Sequence, residues 1–180
     1  MAARAAVGLG SNLGDRRTLL AEAVQGLAAG AGTVVAVSCL YETEPIGGPR
    51  QGPYLNAVVV IDTTLGPRPL LELCLRLEQE AGRVRRVRWE ARGLDVDVLL
   101  YDGIAVSEPG LTVPHPRMRE RRFVLEPLVE VWPGAAFPDG AGVSDLLPGL
   151  SAQRVEVRAG PGWWDQPGPA VVSPGPGSPA

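Results

Sequence analysis

The chain has 180 residues, enough for one domain with a sizeable core and no need of disulfides. Its 17 basic and 20 acidic residues leave a net charge of −3, which fits a small polyphosphate ligand better than the broad basic surface of a long nucleic-acid footprint. All 17 basic residues are arginine, which excludes a Walker-A lysine or a kinase strand lysine and assigns phosphate chemistry to arginine and metal.

Ala3–Leu9 is a short apolar run that predicts a buried first strand. Gly8-Leu9-Gly10-Ser11-Asn12 reads as a structural turn, because it lacks a phosphate-loop lysine and misses the dinucleotide fingerprint. Asp15 is placed to cap a helix over 16–29, in which Leu19, Leu20, Ala23, Val24 and Leu27 recur at helical spacing and which Gly30 and Gly32 close. Thr33–Tyr41 predicts a second strand with Cys39 on its apolar face. Residues 42–53 form a long loop of the kind that carries function. Tyr54–Thr63 predicts a third strand. Pro67 and Pro69 open a second helix, with Leu70, Leu73, Cys74, Leu77 and Ala81 on its buried stripe and Gly82 at its end. Both cysteines read as reduced core thiols of a cytoplasmic protein. The Ala5–Leu9 run is too short for a signal peptide, and no segment has the apolar length of a membrane span.

An arginine-rich loop, 83–93, leads into a fourth strand, Leu94–Tyr101. The order β-α-β-β-α-β predicts an α+β, ferredoxin-like fold: an antiparallel sheet with two helices on one face. The other face is left free for a site that loops 42–53 and 83–93 close over. Beyond it, Gly103–Ser107 reads as a small strand and Leu111–Pro116 as an extended segment fixed by its prolines. A short helix is expected around Leu125, Leu128 and Val129, with Pro127 in its first turn. A further helical turn over Val143–Leu150 and an edge strand over Gln153–Arg158 complete a domain of residues 1–158. Residues 159–180, half of them Gly or Pro, read as a disordered tail with Trp163 and Trp164 as its sticky points.

The chemistry gathers on the fourth strand. Strand alternation puts Leu94, Val96, Val98 and Leu100 on a core face and Asp95 and Asp97 on the other. Two neighbouring carboxylates repel unless a cation neutralises them. Residues 83–122 carry nine arginines against six acids, so the acids lie among cations suited to phosphate. Paired hard oxygen donors plus substrate phosphates suit Mg²⁺, which points to a metal-nucleotide site. Tyr54 and Asn56 share a strand face, where a flat ring can stack on the aromatic while the amide reads its edge. His115, between two prolines, is either structural or a phosphate donor.

Together Gly10-Ser11-Asn12-Leu13-Gly14-Asp15, Tyr41-x-Thr43-x-Pro45, Tyr54-Leu55-Asn56-Ala57, Gly82-Arg83-x-Arg85, Arg88-Trp89-x-x-Arg92-x-x-Asp95-x-Asp97, Val113-Pro114-His115 and Arg121-x-Phe123 strongly resemble the 6-hydroxymethyl-7,8-dihydropterin pyrophosphokinase family of folate synthesis. The resemblance runs in order from about residue 5 to 139. It departs at Glu90-Ala91, Gly93, Gly110 and Pro116. It implies an ATP-dependent diphosphotransferase that moves pyrophosphate from ATP to the hydroxymethyl group of a reduced pterin alcohol and releases AMP. By that likeness Asp95 and Asp97 hold two Mg²⁺ ions, with Arg83 and Arg92 as catalytic partners and Arg121 also on the polyphosphate. Glu78, Arg85, Trp89, Val98, Thr112 and His115 would contact ATP. Tyr54 and Phe123 would sandwich the pterin in a pocket completed by Thr43, Pro45, Ile46 and Asn56. A monomer with no nucleic-acid or membrane partner is expected.

Two other classes are weighed against this. A nucleotidyltransferase also pairs Gly-Ser with Asp-x-Asp, but Ser11 and Asp95 stand about eighty residues apart. An RNA-binding module shares the sheet topology but not this chain's acidic strand, which repels phosphate without metal, and its aromatic sheet motifs are missing here.

Overall fold

A computed structural model describes residues 1–45, 52–82 and 93–165. The elements are β1 (Ala3–Ser11), α1 (Arg16–Gly30), β2 (Gly32–Val37), β3 (Leu40–Thr43), β4 (Tyr54–Thr63), α2 (Pro67–Ala81) and β5 (Asp95–Tyr101). A second set follows: β6 (Val106–Glu108), β7 (Leu111–Val113), a 3₁₀ turn at Met118–Glu120, α3 (Arg122–Val131), a 3₁₀ segment at Ser144–Leu150 and β8 (Glu156–Ala159). The main sheet runs β5-β1-β4-β3-β8, with β2 also on β4, and every pairing is antiparallel. This is the ferredoxin-like arrangement.

Local chemistry accounts for the helices. The Asp15 carboxylate accepts from the Thr18 backbone N–H at 3.2 Å and from its hydroxyl at 2.8 Å, capping α1. Pro67 and Pro69 sit in the first turn of α2, where a missing N–H costs nothing. Both helices bury their apolar stripes on one sheet face, Leu20, Val24 and Leu27 from α1 and Leu70 and Cys74 from α2. Val7, Leu9, Val96, Val98 and Ile61 meet them from the sheet.

Several expectations need correction. Gly8 and Gly10 lie inside β1 rather than in a turn, because β1 pairs with β4 as far as Ser11 and with β5 as far as Gly10. The single strand expected over Thr33–Tyr41 breaks at Ser38-Cys39 into β2 and β3. There the Glu130 carboxylate, from α3, takes the Cys39 N–H at 2.9 Å and the Tyr41 hydroxyl at 2.7 Å. Cys39 therefore sits at a joint, not on an apolar strand face. Burial, reinforced by Glu130, pushes its thiol up to about 11. Cys74 is buried in α2, and burial takes its thiol to about 12.

Leu100 does not share a face with Val96 and Val98. The β1–β5 register shifts between Ala6, paired with Leu100, and Val7, paired with Val98, so Leu99 is an extra residue. This bulge puts Leu99 and Leu100 together in the core on the second face. That face is only partly free, because Met118, Leu125, Leu128 and Phe137 cover it there. Pro127 is inside α3 rather than in its first turn, since the helix already begins at Arg122. Val143–Leu150 supplies a 3₁₀ segment instead of an α-helical turn. The expected strand at Gly103–Ser107 is β6, shifted to Val106–Glu108 and paired with β7.

The edge strand expected over 153–158 is β8, which extends to Ala159. The chain stays packed beyond it. Trp163 is 1% exposed and donates its indole N–H to the Ser38 carbonyl at 2.8 Å. The Arg17 guanidinium holds the Trp163 carbonyl at 3.0 Å. A tail starting at 159 is therefore placed too early, and residues 166–180 lie outside the described residues. Loop residues 46–51 and 83–92 lie outside them as well. No helix among the described residues is long and apolar enough to cross a membrane.

Candidate active site

The uncovered part of the second sheet face forms an open cavity of about 720 Å³. Asp95 and Asp97 both face it from β5, as alternation requires. Opposite them in register stand Gly10 and Gly8 of β1. A side chain at either position would crowd the floor: a Cβ at Gly10 would lie 3.3 Å from Asn56 Oδ1 and 4.0 Å from the Asp95 Cβ. The glycines hold open the space beside the acids.

Strands β3 and β4 build one wall. Tyr54, Asn56, Thr43 and Pro45 all line the cavity. The Asn56 amide donates to the Thr43 hydroxyl at 2.9 Å, which fixes its orientation and turns Oδ1 toward Gly10. Glu42 and Thr43 belong to β3 rather than to the loop expected from residue 42, and the loop's flanks are tied to α1, since Arg16 donates to the Pro53 carbonyl at 2.6 Å and to Glu42 at 3.4 Å.

The opposing wall comes from the segment after β7. His115, Arg117, Glu120, Arg121 and Phe123 line it. The His115 backbone N–H donates to the Leu99 carbonyl at 2.9 Å, docking the segment on the bulge. His115 Nδ1 accepts from the Arg117 N–H at 3.2 Å, so the neutral ring carries its proton on Nε2. Burial lowers the His115 pKa from 6.5, Asp97 opposes that shift, and Arg121 and Arg117 add to it. The Arg121 guanidinium carbon lies 5.6 Å from the Phe123 ring centroid, putting a cation beside an aromatic face.

Thus Asp95, Asp97, Tyr54, Asn56, Thr43, Pro45, His115, Arg121 and Phe123 converge on one cavity. Glu78, Val98 and Thr112 do not line it. Helix α2 packs on the opposite sheet face, so Glu78 reaches β5 from behind and accepts from the Val96 N–H at 2.8 Å. Val98 is buried among the helices, and Thr112 is exposed on β7. Ile46, Arg83, Arg85, Trp89 and Arg92 lie outside the described residues. Sequence reasoning missed Gly8, Gly10 and Gln153 as cavity residues, while Arg117 is one of the arginines expected around the acids. The glycines had a usable signal, an i, i+2 pair within an apolar strand.

The donor set suits a hard divalent cation. Two carboxylates on one strand face supply oxygen ligands, and among the described residues no group of three or more His, Cys, Asp or Glu is placed to enclose a metal. The rest of a coordination shell would come from water and substrate oxygens, as Mg²⁺ prefers.

Residues 6–133 match the family described as 7,8-dihydro-6-hydroxymethylpterin-pyrophosphokinase. The 2-amino-4-hydroxy-6-hydroxymethyldihydropteridine pyrophosphokinase of Methylorubrum extorquens is 48% identical over 154 residues, covering 85% of this chain and 97% of that protein. The enzyme of the same name from Pseudomonas aeruginosa is 39% identical over 161 residues, covering 89% and 99%. A solved structure of wild-type HPPK-DHPS from Plasmodium falciparum superposes with a TM-score of 0.68 at 13% identity. It covers 83% of this chain but 45% of that one, and at that identity the likeness is one of fold. With most of the domain matched and relatives aligned over nearly their whole length, the chain belongs to the 7,8-dihydro-6-hydroxymethylpterin-pyrophosphokinase family.

Proposed function

We propose that this cavity transfers pyrophosphate from ATP to the hydroxymethyl group of 6-hydroxymethyl-7,8-dihydropterin, releasing AMP, as a step of folate biosynthesis. The observation that carries the reading is the placement of Asp95 and Asp97 over a glycine floor, between a wall bearing Tyr54 and Asn56 and an opposing wall bearing Phe123. An acidic end suited to metal and phosphate thus adjoins an aromatic, amide-bearing end suited to a flat heterocycle.

In this reading the pterin lies between Tyr54 and Phe123, and the Asn56 amide, oriented by Thr43, reads its edge. Pro45 completes the pocket, joined by Ile46 on the family likeness alone. Asp95 and Asp97 would hold Mg²⁺, two ions by the family likeness, and the metal would neutralise and orient the polyphosphate. Arg121 meets the same phosphates from the joint before α3, and Arg83 and Arg92 do so by the family likeness. Trp89, Arg85 and His115 contact the nucleotide, with His115 Nε2–H as a donor. Glu78, Val98 and Thr112 are carried by the family likeness alone, since they do not line the cavity. Most of the barrier is removed by in-line positioning and charge neutralisation. No strong general base is assigned to this transfer, and Asp97 is the nearest carboxylate candidate for the hydroxyl proton. The protein works in the cytoplasm as a monomer.

The test is incubation of the full chain with ATP, Mg²⁺ and the reduced pterin alcohol, followed by mass spectrometry. AMP and a pterin diphosphate support the reading. Free pyrophosphate with an adenylylated acceptor would identify a nucleotidyltransferase instead.

A further inference from the structure

Arg121 and Phe123 both face the cavity from one backbone joint. The 3₁₀ turn Met118–Glu120 ends and α3 begins with only Arg121 between them, extended at φ −119° and ψ 100°. Helix starts leave N–H groups without intrahelical partners, and residues with short polar side chains usually supply one from the cap position. Arg121 occupies that position and makes no side-chain cap.

The side-chain amide of Gln153 spans the joint. Its Nε2 donates to the Glu120 carbonyl at 2.7 Å, and its Oε1 accepts from the Arg122 N–H at 2.9 Å. Arg122 returns the contact, donating from its guanidinium to the Gln153 carbonyl at 3.1 Å and the Ser151 carbonyl at 3.2 Å. One planar group therefore fixes the peptides on both sides of Arg121 and acts as an N-cap brought from a distant segment. Gln153 lies beyond residue 133, where the family match ends. It also lines the cavity.

We propose that Gln153 is a positioning residue that acts through Arg121, holding the joint so that this guanidinium points at the polyphosphate. The inference rests on the proposed role of Arg121 in phosphate binding. A residue that merely anchored the C-terminal segment would affect stability but would not couple to Arg121.

The test is a double-mutant cycle on AMP release and on affinity for a non-hydrolysable ATP analogue, using parent, Gln153→Ala, Arg121→Ala and the double variant at a temperature where all are folded. Gln153→Ala is expected to lower kcat/KM for ATP about tenfold in the parent and by less than about twofold in the Arg121→Ala background. Gln153→Glu keeps the acceptor for Arg122 N–H but sets a carboxylate oxygen against the Glu120 carbonyl, and it should lose as much; if Gln153→Ala does not fold, this variant carries the cycle. Equal losses in both backgrounds, or no loss in the parent, overturn the inference. A parent that releases no AMP removes the functional reading and this inference with it. A parent that does, with additive variants, removes this inference alone.

Discussion

The two faces of β1 and β5 divide stability from chemistry residue by residue. Toward the helices stand Val7, Leu9, Val96 and Val98, each no more than 4% exposed. Toward the cavity stand Gly8, Gly10, Asp95 and Asp97. The same backbone ladder carries both sets, so a strand that the core holds rigid presents its acids without their contributing to packing. Substitutions on the two faces should therefore separate into those that lower turnover and those that lower stability.

The largest effect belongs to the cavity face. Asp97→Ala is expected to lower turnover by about 10³-fold or more, with pterin affinity and thermal midpoint little changed. Calorimetric titration with the pterin alongside an AMP-release assay checks this, and lost pterin binding with intact turnover would contradict it. On the helix face, Leu27→Ala removes a fully buried side chain from between α1 and the sheet. It should cost about 3 kcal/mol in urea unfolding while kcat at low temperature stays at the parent value. A comparable drop in kcat would break the division between the faces.

Gly10→Ala tests how little space the floor can lose. Its Cβ would sit 3.3 Å from Asn56 Oδ1, so the amide must shift. A penalty of about 1 kcal/mol there corresponds to roughly fivefold weaker pterin binding, with stability nearly unchanged. Unaltered pterin affinity would show that Asn56 is not held against this strand. The smallest effect is that of pH. Burial keeps the His115 pKa below 6.5 in the folded protein, so the unfolded chain takes up a proton first as pH falls. Stability is thus lost from about pH 6.5 downward, until the folded ring titrates too. His115→Gln should flatten that slope in thermal midpoints measured with EDTA between about pH 7 and 5.5. A slope equal to the parent's would mean that the ring is as hydrated as in the unfolded chain.

Where a feature depends on neighbours in sequence, the chain made it readable. The Asp15 cap, the proline start of α2, the bounds of β4 and the alternation of Asp95 and Asp97 all follow from local rules and all appear. The features that escaped depend on distant partners. Nothing within Thr33–Tyr41 announces a break at Ser38-Cys39, because the carboxylate that opens it comes from Glu130 and the indole that seals it from Trp163. Gly8 and Gly10 imitate a turn until β4 and β5 are laid on either side of them. The cavity's acids, aromatics and Asn56 were legible as a pattern of residue types. Gln153 was not, since a lone glutamine in a polar stretch has no periodicity to mark it.

The burial of Trp163 makes this molecule its own optical gauge. An indole that is dry emits to the blue of one in water, so with Trp89, Trp132 and Trp164 replaced by Phe, release of the segment around Trp163 would register as a red shift. That signal could precede loss of the sheet's circular dichroism, because peripheral segments open at lower free energy than core strands. Undocking of the chain's far end from Ser38 could then be timed separately from unfolding of the domain, with no added label.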